Sequence, residues 1–120
     1  MRTISHIEAE FVIDCRKLDL LCYMLHDQYR DSGFTNKLVQ NSERLVLEWI
    51  EPIYEDVNNF RYMWYKHAQI YIGNIKQTID NLYIFNDMVP DIGEEIVCLC
   101  DKLAKRCQEI YNNNLMELEN

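Results

Sequence analysis

Apolar residues recur along this chain at intervals of three and four, the spacing that sets them on one side of an α-helix. Ile7, Phe11, Cys15, Leu18, Cys22, Leu25 and Tyr29 form a first seam. A second runs through Leu38, Ser42, Leu45, Trp49 and Ile53, and a third through Phe60, Trp64, Ala68, Tyr71, Ile75, Ile79 and Leu82. The fourth passes through Ile96, Leu99, Leu103, Cys107 and Ile110.

Local punctuation divides the seams. Ser5-His6-Ile7-Glu8 reads as a capping box that opens the first helix. Gly33, within Asp-Ser-Gly-Phe-Thr, reads as its stop, because an αL residue is cheap there. Thr35 then caps the second helix, with Phe34 stapled against Val39. Pro52 removes a donor, so a helix kinks or restarts there, but Asn58-Asn59 makes the better boundary. Asp91-Ile92-Gly93-Glu94 after Pro90 is a second capping box. These signals predict helices over roughly 6–31, 36–57, 60–86 and 92–115, each about 33–40 Å long. The fold class is all-α, an antiparallel up-down-up-down four-helix bundle. It forms one domain over residues 1–120, with a polar tail from Asn112 that frays.

Composition agrees and narrows the function classes. At 48% hydrophobic and 27% charged the chain is not a disordered one, and 3 Gly with 2 Pro argue against a turn-rich sandwich. Twenty acidic against 12 basic residues give a net charge of −8, which disfavours nucleic acid or an anionic membrane as the main ligand. On the predicted helices the deficit falls mainly on the second and fourth. Glu48, Glu51 and Glu55 share a face with Asp56 beside them, and Glu94, Glu95 and Asp101 load the fourth helix. Such a surface attracts a basic protein, for example one that itself binds nucleic acid. The expected function is a small acidic regulator or inhibitor that works by binding protein.

Aromatic residues crowd the start of the third helix. With Tyr62 and Tyr65 off its seam and Trp64 between them, some aromatic surface is expected outside, and a homodimer through this helix would cover it.

Five cysteines, an odd number with no apolar leader before them, fit a reducing, cytoplasmic setting, and no apolar run approaches the ~20 residues of a membrane span. Cys15 and Cys22 on the first helix, and Cys100 and Cys107 on the fourth, are each seven apart, so an antiparallel bundle levels Cys15 with Cys107 and Cys22 with Cys100. His26 lies one turn beyond Cys22, and Cys22, His26 and either Cys98 or Cys100 offer a metal-ligand set. Seam packing as small hydrophobes is the other reading of the same thiols. No motif implies a cofactor.

Arg61-Tyr-Met-Trp-Tyr-Lys-His67 resembles the arginine-to-histidine signature of the HEPN superfamily, small helical domains that include ribonuclease toxins. That resemblance implies Arg61 stabilising phosphate charge and His67 acting as acid or base in RNA cleavage. No Gly-rich phosphate loop occurs, since the glycines stand apart at 33, 73 and 93, and no Glu-x-x-His pair of the di-iron bundles is present.

Overall fold

The computed structural model describes residues 5–28, 33–50, 61–85 and 91–119. They form α1 (His6–Gln28), α2 (Gly33–Arg44) with a π-helical continuation (Leu45–Ile50), α3 (Arg61–Phe85) and α4 (Asp91–Glu119). No strand occurs among the described residues. Pro52, Asn58 and Asn59 lie outside them, as does the choice between a kink and a break at Pro52.

Each interface carries polar pairs that fix its direction. Between α1 and α2, His26 Nδ1 meets Thr35 Oγ1 at 2.9 Å and Ser42 donates to Asp19 at 2.7 Å. Asn74 donates to Asn41 and Tyr71 to Glu48 between α3 and α2. Between α3 and α4, Gln69 donates to the Ala104 carbonyl and Lys76 bridges Asp101. Lys102 reaches Asp14 at 3.0 Å and Arg106 reaches Glu10 at 3.4 Å between α4 and α1. In every interface one residue number rises as the other falls, so neighbouring helices are antiparallel. Helices consecutive in sequence pack side by side, and α4 closes against α1. That is the up-down-up-down bundle. Its 50 × 23 × 20 Å extents correspond to two helices in each short direction.

The buried positions follow an unbroken alternation of three and four. In α1 they include Glu8, Phe11, Cys15, Leu18, Cys22 and Leu25, and in α3 Tyr65, Ala68, Ile72, Ile75, Ile79 and Leu82. In α4 they are Ile96, Cys100, Leu103, Cys107 and Ile110. In α1, α3 and the part of α4 up to Ile110, this seven-residue repeat keeps one seam facing the bundle axis.

Four positions, on three helices, depart from the seams the sequence suggests. Ile7 points outward while Glu8 is only 2% exposed; Tyr65 and Ile72 take the places of Trp64 and Tyr71; and Cys100 takes that of Leu99. In α3 the two candidate series share Ala68 and Ile75, so spacing does not separate them. A partner decides. The Tyr65 hydroxyl donates to Glu8 Oε2 at 2.5 Å, and its ring meets Phe11 edge-on at 5.4 Å between centroids. Glu8 also closes the capping box: Ser5 N donates to Glu8 Oε1 at 3.3 Å and Glu8 N to Ser5 Oγ at 3.2 Å.

The second helix differs more. Gly33 begins α2 instead of stopping α1, and no described glycine has a positive φ. Thr35 is buried in the first turn against His26, so it is an interface residue and not the cap. Thr35, Leu38, Ser42 and Leu45 keep the expected step, after which burial passes to Val46 and Ile50. The five-residue step from Leu45 to Ile50 is what a π turn produces, since its bonds span one residue more than those of an α turn. The Trp49 side chain and Ile53 lie outside the described residues. At the other end of the chain α4 stays helical to Glu119, past the fraying point that the asparagines suggest.

Two stability measurements check this packing. Tyr65→Phe takes a donor away from a buried carboxylate oxygen and is expected to cost about 1–3 kcal/mol in urea unfolding. Gly73 lies exposed in the middle of α3, and nothing comes within 4 Å of the place where an alanine methyl would stand. Gly73→Ala is therefore expected to raise the thermal midpoint, with a gain of about 0.5–1 kcal/mol.

Candidate functional site

Charge is the first surface property to locate. α1 carries Glu8, Glu10, Asp14, Asp19 and Asp27 against Arg16 and Lys17. α2 and its π continuation carry Glu43 and Glu48 against Lys37 and Arg44, and so are balanced. Among the described residues the acidity belongs to α1 and α4, not to the second helix. Glu51, Glu55 and Asp56 lie outside the described residues. Glu48 is exposed and accepts from the Tyr71 hydroxyl at 2.9 Å.

The antiparallel register gathers acids at the end of the bundle where α3 finishes and α4 starts. Glu94, Asp80 and Asp91 stand near enough to Tyr83 to act on its phenol, which is pushed up first by partial burial and then by those carboxylates. Beside Tyr83, Ile84 is 72% exposed. Glu94 and Glu95 are both exposed in the first turns of α4, where carboxylates also favour the helix dipole. Asp101, further along α4, is exposed but tied to Lys76 at 2.7 Å, a bond that raises the lysine. A groove of about 560 Å³ runs between α1 and α4, with Leu21 and Leu99 on its apolar part, Asp91, Glu94 and Glu95 toward one end, and Lys17 and Lys102 toward the other.

The aromatic patch takes a different form from the one the sequence suggests. Tyr65 is 1% exposed and belongs to the core, so it is not part of any surface. The side chains of Tyr62 and Trp64 lie outside the described residues. Tyr83, absent from the residues that sequence pattern singles out, is the aromatic that sits among acids. Only register reveals it, because Asp80 and Glu94 belong to different helices.

The thiols obey the level rule. Cys15 interacts electrostatically with Cys107 and Cys100, and Cys22 with Cys100, so the four alternate across the α1–α4 seam. Burial pushes all four thiols up, Cys100 to about 12, and a hydrogen bond with Ser42 partly opposes the rise at Cys22. Cys98 alone is exposed. Among the described residues no group of three or more His, Cys, Asp or Glu is arranged to hold a metal ion. The Cys22, His26 and Cys100 set does not assemble, because His26 turns to Thr35 on α2 while Cys22 and Cys100 face the core. These four cysteines act as small apolar seam residues.

Arg61 and His67 both lie on α3, six residues or about 600° of helical rotation apart. His67 is half-buried, and the Arg61 side chain lies outside the described residues. No described helix is long and apolar enough to cross a membrane. Comparison with protein-family models, with characterised proteins and with solved structures returns no match.

The thiol environment is open to direct measurement. A disulfide reagent on the native protein is expected to modify Cys98 rapidly and the other four only after unfolding. The four raised thiols also set a pH trend. Unfolded thiols ionise near pH 8.5 while the folded ones stay protonated, so stability should be full below that pH and fall as pH rises toward 12. Urea titrations between neutral and alkaline pH give the slope, and Cys107→Ala should make it shallower.

Proposed function

We propose that this chain is a small regulator that acts by binding a basic protein, using the acidic end formed by α3 and α4. The observation that carries the reading is the set Asp80, Asp91 and Glu94 around Tyr83 with Ile84 exposed beside it. Such a surface suits recognition of protein. Carboxylates steer a positively charged partner from a distance and suppress binding to anionic ones. A tyrosine and an isoleucine at the centre supply the apolar contact that a charged rim lacks. Glu95 extends the same negative field along the first turns of α4.

A partner that itself binds nucleic acid fits the chemistry, because its phosphate-binding surface is already shaped for a dense array of anions. The regulator would then compete with nucleic acid for that surface. Inhibition is the simplest outcome of such competition.

The test is capture by the immobilised chain at low salt and at about 1 M salt, where the screening length is ~3 Å. Basic proteins are expected to be retained at low salt, released at high salt, and lost with an Asp80→Lys/Glu94→Lys bait. Retention that is equal at both salt concentrations counts against the reading.

A further inference from the structure

Outward along α4 runs a stripe whose charges are arranged about one residue. Cys98 is exposed at its centre. Asp91 and Glu94 stand seven and four residues before it, and Lys102 and Lys105 stand four and seven residues after it. All four charged residues are exposed. Steps of three and four keep them on one side of the helix, so the stripe reads negative, negative, thiol, positive, positive. A pattern that changes sign about its own midpoint complements itself when a second copy is laid against it in the opposite direction.

The neighbouring helix offers apolar surface beside this stripe. Ile13, Leu20 and Met24 of α1 are 65%, 61% and 44% exposed, and they lie on its outward side, away from the α1 seam. The groove between α1 and α4 separates the two ridges. Together the ridges make a face with apolar side chains and the exposed Lys17 on one helix and self-complementary charges on the other. A two-fold axis lying across both helices places each α4 antiparallel to its copy and each α1 antiparallel to its copy. Such an interface is isologous, as closed dimers require.

We propose that the chain forms a two-fold homodimer through the outward faces of α1 and α4, with Cys98 of each copy beside the axis. Asp91 then meets the partner's Lys105, and Glu94 meets the partner's Lys102, which Asp14 also holds within its own chain at 3.0 Å. Asp101 does not spoil the match, because Lys76 draws it to the α3 edge of the stripe. Glu95 lines the α1 groove together with Asp91, Glu94, Cys98 and Lys102, but leaves the helix about 100° of rotation from Glu94. Asp91 and Glu94 also belong to the acidic end near Tyr83, so a second copy and a basic partner would compete for them, and the dimer's test uses the chain alone.

Sedimentation velocity from low micromolar to submillimolar protein is expected to show a monomer–dimer equilibrium that weakens with salt. Asp91→Lys/Glu94→Lys makes the stripe wholly positive, and Lys102→Glu/Lys105→Glu makes it wholly negative. Each variant alone should be monomeric at concentrations where the native chain dimerises, and an equimolar mixture of the two should recover a dimer. Should Lys102→Glu disturb folding through Asp14, Asp91→Lys paired with Lys105→Glu repeats the experiment with that bridge intact. A short bis-maleimide should link the native dimer through its two Cys98 thiols, and Cys98→Ser should abolish the product. A chain that stays monomeric throughout overturns the proposal. So does a dimer that survives either charge reversal, which would place the contact on another face.

Discussion

A single buried carboxylate sets the relation between the first and third helices. Glu8 satisfies the free backbone donor of Ser5 with one oxygen and accepts from the Tyr65 hydroxyl with the other. The two residues are 57 positions apart in sequence, and both are almost fully enclosed. A carboxylate taken out of water is costly unless its lone pairs are met. The bond therefore does more than add its own net worth: any arrangement that moves Tyr65 away deprives a buried acceptor of that donor. This penalises a slip of α3 by even one residue and makes the choice of seam discrete.

The other interfaces follow from that constraint. With α1 and α3 fixed across the bundle diagonal, α2 and α4 fill the remaining corners and are held in register by their own polar pairs. The α1–α2 contact uses buried hydroxyls, Thr35 against His26 and Ser42 against Asp19. The α4–α1 contact uses partly exposed ion pairs, each worth little by itself. Between them the seam is filled by thiols, which occupy little space and need no strong donor. Four cysteines thus fill the α1–α4 seam as small apolar groups.

How far sequence reaches depends on what each signal encodes. Four helices, their order and the Ser5–Glu8 box are legible, because periodicity and capping are local properties. The α3 seam is not, because Trp64-Ala68-Tyr71-Ile75 and Tyr65-Ala68-Ile72-Ile75 have equivalent spacing and only a residue on another helix separates them. That single slip also puts Tyr65 on a surface where it does not lie. The π turn at Leu45–Ile50 leaves no mark in residue type, yet it moves burial on to Val46 and Ile50. Gly33 misleads for a related reason: its freedom to adopt αL is an option, and α2 begins there without using it. Sequence fixes the total charge, but assigning it helix by helix misses the acidic end around Tyr83, which is a property of two helices in register.

The charge order on α4 also has a rival explanation, the helix dipole, which favours acids in the first turn and cations in the last. It accounts for Asp91 and Glu94. It does not account for Lys102 and Lys105, which stand in the middle of a 29-residue helix, far from either terminus. Nor does it fit the last turns, where no basic residue occurs and Glu117 and Glu119 stand against the dipole. Pairing with α1 explains part of the basic segment, since Lys102 meets Asp14 and Arg106 meets Glu10, but Lys105 lies between them on the outward side. What remains after the dipole and the α1 contacts are removed is Lys105, which stands as far after Cys98 as Asp91 stands before it. A charge pattern centred within a helix, and not at its ends, answers to something that lies alongside the helix, and a second copy running the other way has the matching order.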